Sequence, residues 1–212
     1  MHISNFIFTF VPLKQYIMLV ILGTAHSKST LGKCSPDGRL KEYAYSRKLC
    51  QEIKRQLTGM GINCVIDIEG DEEYSLKNRC NIVNNYCSKY GAKNCLYVSV
   101  HVNAAGNGGW MSARGFTVWV SSNSSANSKV MAKIFCGNAI KNNLMGNRSI
   151  PLNKYWEADF YVIKYTHCPA VLTENLFQDN RWDVDFLLSE EGFKKIVDLH
   201  VNSISEYVKM KK

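Results

Sequence analysis

The chain has 212 residues, 46% of them hydrophobic and 21% charged, with a formal net charge of +8. That length suits one domain with a full hydrophobic core, and the composition is that of an ordinary globular protein rather than a disordered or low-complexity one. The positive balance admits an anionic polymer as partner. No long Lys/Arg block and no aromatic–basic repeat accompanies it, so nucleic acid finds no support.

The first 17 residues, "MHISNFIFTFVPLKQYI", are apolar but carry no Lys or Arg before Lys14, and Pro12-Leu13-Lys14-Gln15 splits the apolar stretch. Neither half reaches the roughly 18 apolar residues of a membrane span, so stable membrane insertion is not expected. The expectation is an N-terminal extension over 1–17 and one domain over 18–212. Translation from Met18 and export are both compatible with it. Short β-branched runs bounded by turn residues then predict strands at 18–24, 62–68, 96–102, 115–120, 160–165 and 169–174.

Between the strands lie helical patterns at 41–57, 74–90, 127–144 and 189–210. The first places Ala44, Leu49, Ile53 and Leu57 near one face, and the last opens on a capping Ser-Glu-Glu. "NAAGNGGWMSAR" (103–114) reads as a loop, too short to separate domains. The alternation predicts a single α/β domain: a mostly parallel, twisted sheet of about six strands with helices on both faces. The eight cysteines form no C-x-x-C pair. In a chain this long most read as buried free thiols, which suits a reducing compartment.

Functional side chains of such sheets gather at the carboxyl ends of the strands. The run 18–24 delivers His26, "LYVSVHVNAA" delivers His101 and then Asn103, and "AVLTEN" ends in Glu174 and Asn175. Glu42 opens the helix after the first strand, where the helix dipole favours an ionised carboxylate. Two His and one Glu are a common ligand set for catalytic zinc, and a second carboxylate can act as general base. Asp37 is the nearby rival to Glu42, but its Pro-Asp-Gly setting is a turn.

In order, "ILGTAHS", "LKEYAYSRKLCQEI", "YVSVHVNAA", "ARGFTVWV", "ADFYVIKYTHCPAVLTENLFQDN" and "DVDFLLSEEGFKKIVDLHVNSI" resemble the zinc-dependent N-acetylmuramoyl-L-alanine amidases, the third amidase family of peptidoglycan hydrolases, over about residues 18–208. The resemblance implies zinc (Zn2+) held by His26, Glu42 and His101, with Glu174 as catalytic base. It further implies peptidoglycan as substrate, cut between muramic acid and L-alanine. Two departures stand out. The family's Asp-Pro-Gly-His-Gly is here Gly-Thr-Ala-His-Ser, and its Thr-Gly-Phe after the base is Asn175-Leu176-Phe177.

The span from Val120 to Phe160 has room for one ordinary helix and a loop, so the inserted plug helix of regulated members is not expected. A phage or prophage lysin, held in the cytoplasm until it reaches the wall, is the expected setting. A secreted autolysin is the variant of the same chemistry. A zinc peptidase acting within the stem peptide and a non-catalytic wall-binding module are the rival readings. His167 and His200 read as non-catalytic. Asn103 and Asn175 are secondary candidates for substrate contact, and Trp110 and Trp156 are candidates for a glycan groove or for packing.

Overall fold

The computed structural model describes residues 18–106 and 108–211. Six strands, β1 (Leu19–Thr24), β2 (Asn63–Ile66), β3 (Cys95–Asn103), β4 (Thr117–Val120), β5 (Trp156–Glu157) and β6 (Ala170–Phe177), form one sheet in the order β2-β1-β3-β6-β4-β5. Every neighbouring pair is parallel except β4 with β6. The α/β expectation, mostly parallel and six-stranded, therefore holds.

The helices are α1 (Glu42–Gly59), α2 (Leu76–Tyr90), α3 (Ala126–Lys141), α4 (Tyr161–Lys164), α5 (Arg181–Leu188) and α6 (Glu190–Met210). Alternation along the strands sends side chains to two separate apolar layers. Val20, Leu22, Leu96, Val98 and Val100 pack with α1, α3 and α6 on one face. Leu19, Ile21, Cys95, Tyr97 and Leu172 pack with α2 and α4 on the other. On α1, Leu49, Ile53 and Leu57 are fully buried as the helical spacing implies, whereas Ala44 is exposed and Tyr45 faces inward in its place. Ser189 caps α6 by accepting from the Gly192 N–H at 3.0 Å.

One expected strand is corrected. Residues 160–165 are not a strand: Tyr161–Lys164 form the single-turn helix α4, and the sixth strand is the two-residue β5. The consecutive residues Val162 and Ile163 are both buried in the same apolar layer, which a helical turn allows and a two-residue strand alternation does not. Helix α5 was carried by no expected helical pattern. Its start is set by the Asn180 side chain accepting from the Asp183 N–H at 3.2 Å.

All eight cysteines are free, and seven of them are buried. Between Val120 and Phe160 the structure has one ordinary helix, α3, followed by a loop and β5. No helix among the described residues is long and apolar enough to cross a membrane. The expected extension over 1–17 lies outside the described residues.

Candidate metal centre

The central parallel strands β1, β3 and β6 end at the same edge of the sheet. In the β3–β6 register His101 stands directly opposite Glu174, so alternation throws both side chains onto the α2 side. His26 follows β1 by two residues. Glu42 is the first residue of α1 and is buried, 2% exposed.

Ligand atoms of His26, Glu42 and His101 all lie within 4.8 Å of one another. Glu42 joins the two rings: its Oε1 lies 3.0 Å from His101 Nδ1 and its Oε2 lies 3.4 Å from His26 Nε2. The rings stand edge to face with centroids 5.3 Å apart. Glu42 Oε1 also accepts from the Val102 N–H at 3.1 Å. The second ring nitrogen of His101 is 3.1 Å from the Ser99 hydroxyl, the kind of outer contact that fixes a ligand imidazole's tautomer.

Charge states suit a cation. Burial pushes the His26 imidazole down to about 4, so near neutral pH the ring is uncharged and has a free lone pair. Burial pushes the Glu42 carboxyl up, but the His101 hydrogen bond, the charges of His101 and His26 and the Val102 N–H outweigh it and hold the group below its usual value. Glu42 is therefore an anion between two imidazoles.

The backbone around His26 is held from outside. His26 has φ 41°, a left-handed conformation that a non-glycine residue adopts at a cost of roughly 1–2 kcal/mol. Two arginines grip its carbonyl: Arg47 donates at 2.9 Å and Arg79 at 3.2 Å. Arg47 also donates to the Ala25 carbonyl at 2.9 Å, and Arg79 to that of Thr24 at 2.5 Å. Behind Arg79 lies the buried Asp67, 3.9 Å away, which accepts from the Thr24 N–H at 2.9 Å, the Ile68 N–H at 2.7 Å and the Tyr97 hydroxyl at 3.3 Å. Gly23 makes room for this contact, because a Cβ there would collide with the Tyr97 hydroxyl. The departure of the histidine loop from the family pattern is thus accompanied by two arginines that fasten it. Neither arginine was singled out in the sequence. The only signal there was their place on the inward faces of α1 and α2.

Glu174 completes the arrangement. It lines, with His26 and His101, a cavity of about 390 Å³ whose other walls include Lys33, Glu73, Arg79, Phe160 and Tyr161. Its Oε2 is buried without a hydrogen-bond partner. Burial, and then the Glu42 charge, push its carboxyl well above the usual range, with Lys33 opposing. Positive charge held by the neighbouring three residues would act against both effects. An orphaned carboxylate beside two imidazoles and a third, anionic donor is a site that a divalent cation fits.

The secondary candidates fall elsewhere. Asn103 caps its own loop, its Oδ1 accepting from Ala104 N at 2.9 Å. Asn175 is fully buried and points to the opposite face of the sheet from Glu174. His200 is buried on α6, and His167 is exposed just before β6, at the other end of that strand. Asp37 binds Ser35 and Arg39 in its turn. Trp110 packs partly buried against the core with Arg181 4.6 Å above its ring, and Trp156 packs against Trp119.

Comparison with known proteins identifies the family and the fold. The chain is similar to the endolysin of Bacillus phage SPP1, 28% identical over 198 residues, which span 92% of this chain and 67% of that protein. The structure is similar in fold to an N-acetylmuramoyl-L-alanine amidase from Clostridium difficile 630, with a TM-score of 0.80 at 21% identity, over 93% of this chain and 100% of that one. It is also similar in fold to the catalytic domain of the CD27L endolysin, which targets Clostridia difficile, with a TM-score of 0.65 at 18% identity over 89% and 97% of the two chains. Residues 20–206 match the family described as N-acetylmuramoyl-L-alanine amidase, and the chain belongs to that family.

Proposed function

We propose that His26, Glu42 and His101 hold a zinc ion and that Glu174 is the general base for hydrolysis of the amide between N-acetylmuramic acid and L-alanine in peptidoglycan. The observation that carries this reading is the meeting of two imidazoles, a buried carboxylate and an unpaired second carboxylate at one cavity, in a chain of the amidase family. Nitrogen and oxygen donors in this number match catalytic zinc, which keeps a position open for substrate.

A bound zinc ion supplies Lewis acidity, polarising the scissile carbonyl and easing deprotonation of water near neutral pH. The protein's own residues do the rest. Glu42, anchored by the Val102 N–H and His101, holds negative charge where the cation sits. Glu174 Oε2, unpaired within the protein, is free to take the proton of the attacking water. The same carboxyl, now protonated, returns that proton to the L-alanine nitrogen as it leaves, so one group serves as base and then as acid. The cavity's half-enclosed walls limit competing water around the reacting carbonyl.

The test is release of new L-alanine amino ends from purified peptidoglycan by wild type and Glu174→Ala, each with zinc and with chelator. Wild-type activity that chelator abolishes, and that falls by about 10²–10⁴-fold in the variant, supports the reading. Fragments cut inside the stem peptide would instead favour the zinc-peptidase alternative. Binding to walls without any cleavage would favour a binding module.

For the setting, we infer a phage or prophage lysin that works from the cytoplasm. Similarity to the SPP1 endolysin and seven buried free thiols support it. Export with cleavage at Ala25 conflicts with the fold, since β1 pairs with β2 and β3 on its two sides and would be lost. Amino-terminal sequencing of the protein recovered from lysing cells tests this: a chain beginning at His26 would overturn it.

A further inference from the structure

The β3–β6 ladder breaks beside the site. His101 pairs with Glu174, but the next pair is Asn103 with Phe177, so β6 carries one extra residue and bulges immediately after Glu174. The extra turn is made by Leu176, which has φ 65° and is 3% exposed. Glycine adopts that conformation without steric cost. Here a buried leucine is forced into it, and something must hold the bulge in place.

The holding group lies on the opposite face of the same strand. Asn175 is fully buried, and its Nδ2 donates to the His101 carbonyl at 2.9 Å. Its Oδ1 lies 2.9 Å from Nε2 of His200, which is also fully buried. Because the Asn175 amide nitrogen is spent on His101, its oxygen must accept, so His200 carries its proton on Nε2. His200 Nδ1 has no partner, and the ring packs edge to face on Phe135 at 5.1 Å. A polar chain thus runs from α6 through β6 to the carbonyl of a site residue on β3. Further bonds close the far side of the bulge: Phe177 N donates to Asp183 Oδ2 at 3.0 Å and Gln178 N to the Asn103 carbonyl at 2.8 Å.

We propose that Asn175 and His200 are positioning residues: together they brace the β6 bulge and so aim Glu174 into the cavity. The need for a brace follows from Glu174 itself, whose buried Oε2 has no partner, so its direction is inherited from the backbone. The bulge, with Leu176 in its left-handed conformation, follows that backbone directly on its carboxyl side. Tying Asn175 to both β3 and α6 keeps Glu174 in register with His101. The idea rests on Glu174 being the base, but the brace itself can be tested without turnover.

The experiment compares wild type with His200→Leu, His200→Gln and Ile196→Ala, the last a core change on α6 that leaves Asn175 untouched. Three quantities are read: turnover on peptidoglycan, zinc affinity by chelator competition, and hydrogen exchange of the Gln178 amide. His200→Leu is expected to lower kcat by about 10- to 100-fold, the scale of a small misplacement of a reacting group. KM and zinc affinity stay within about twofold on the same argument, and the Gln178 amide exchanges faster. His200→Gln, which keeps a donor toward Asn175 Oδ1, restores most of the loss, and Ile196→Ala does not reproduce it. The brace is overturned if Gln178 exchange in His200→Leu matches wild type, or if kcat falls no further than in Ile196→Ala. Absence of L-alanine release from wild type would instead sink the reading of Glu174 as base, and the exchange result would still decide the brace.

Discussion

Two histidines separated by the thickness of one sheet show what suits an imidazole to be a ligand. His101 lies on β3 and its ring meets Glu42 of α1 at 3.0 Å, whereas His200 lies on α6 and its ring meets Asn175 of β6 at 2.9 Å. His101 faces the α2 side, where its partner is the carboxylate of Glu42 and a cavity of about 390 Å³ lies alongside. His200 faces the α6 side, where its partner is the neutral amide of Asn175 and Phe135 closes the space. An anionic partner and room for an ion suit one ring to the proposed metal site. A neutral partner and a packed wall turn the other into a strut. Strand alternation decides that His101 and Glu174 face the α2 side while Asn175 faces α6 and meets His200.

The sharpest way to break the contrast is to remove the anion. Glu42→Ala should take zinc affinity down by more than the 10–100-fold typical of losing an outer contact, and turnover should disappear with the metal. Zinc content after dialysis and L-alanine release check it together. Retained zinc in Glu42→Ala would mean that the two imidazoles do not depend on the carboxylate.

The next largest effect is on stability. Arg79 is 5% exposed and faces Asp67, whose side chain is wholly buried. Arg79→Ala leaves that carboxyl without its facing cation and the Thr24 carbonyl without its arginine donor, and leaves the His26 carbonyl to Arg47 alone. A loss of about 3–5 kcal/mol is expected for one partner of a buried pair, read by urea unfolding of the metal-free protein.

The third prediction separates the two kinds of buried imidazole by pH. Burial pushes His200 down to about 3, below the roughly 6.5 of an unfolded histidine. As pH falls, the unfolded chain takes up the proton first. Stability is therefore full above pH 6.5 and declines between 6.5 and about 3, with a limiting slope near 1.4 kcal/mol per pH unit for one group. His26, lowered to about 4, adds a second decline in the window from 6.5 to 4. In chelator, His200→Gln should flatten the dependence of unfolding free energy between pH 7.5 and 5 by about one proton's slope. An unchanged slope would show that His200 takes up its proton over the same pH range in the folded and the unfolded chain.

Much of this was legible in the chain, because it rests on short-range rules. Branched apolar runs and helical spacing disclose the sheet and its main helices, and strand ends disclose His26, His101 and Glu174. The short strand at Trp156–Glu157 was hidden because two residues carry no pattern. "FYVIKY" misled because α4 and a strand share the same apolar, β-branched vocabulary, and only the packing of Val162 beside Ile163 separates them. The grip of Arg47 and Arg79 on His26, and the chain from His200 to Asn175, join residues 21, 53 and 25 positions apart. No periodicity reports contacts made across that distance.

The smallest expected effect completes the comparison. His167 is exposed, sits before the amino end of β6, and donates its backbone N–H to Asn84 Oδ1 at 2.9 Å. That bond survives any side-chain change. His167→Ala should therefore move stability by no more than about 0.5 kcal/mol and leave turnover and zinc affinity as in wild type. Thermal melting and L-alanine release measure both. A loss of activity would require the imidazole to act from the opposite end of the strand that carries Glu174, eight or so residues of extended backbone at about 3.3 Å each from the reacting groups. His167 does not line the cavity that Glu174 lines, so an imidazole that neither meets a carboxylate nor braces a strand is one whose removal the enzyme should not notice.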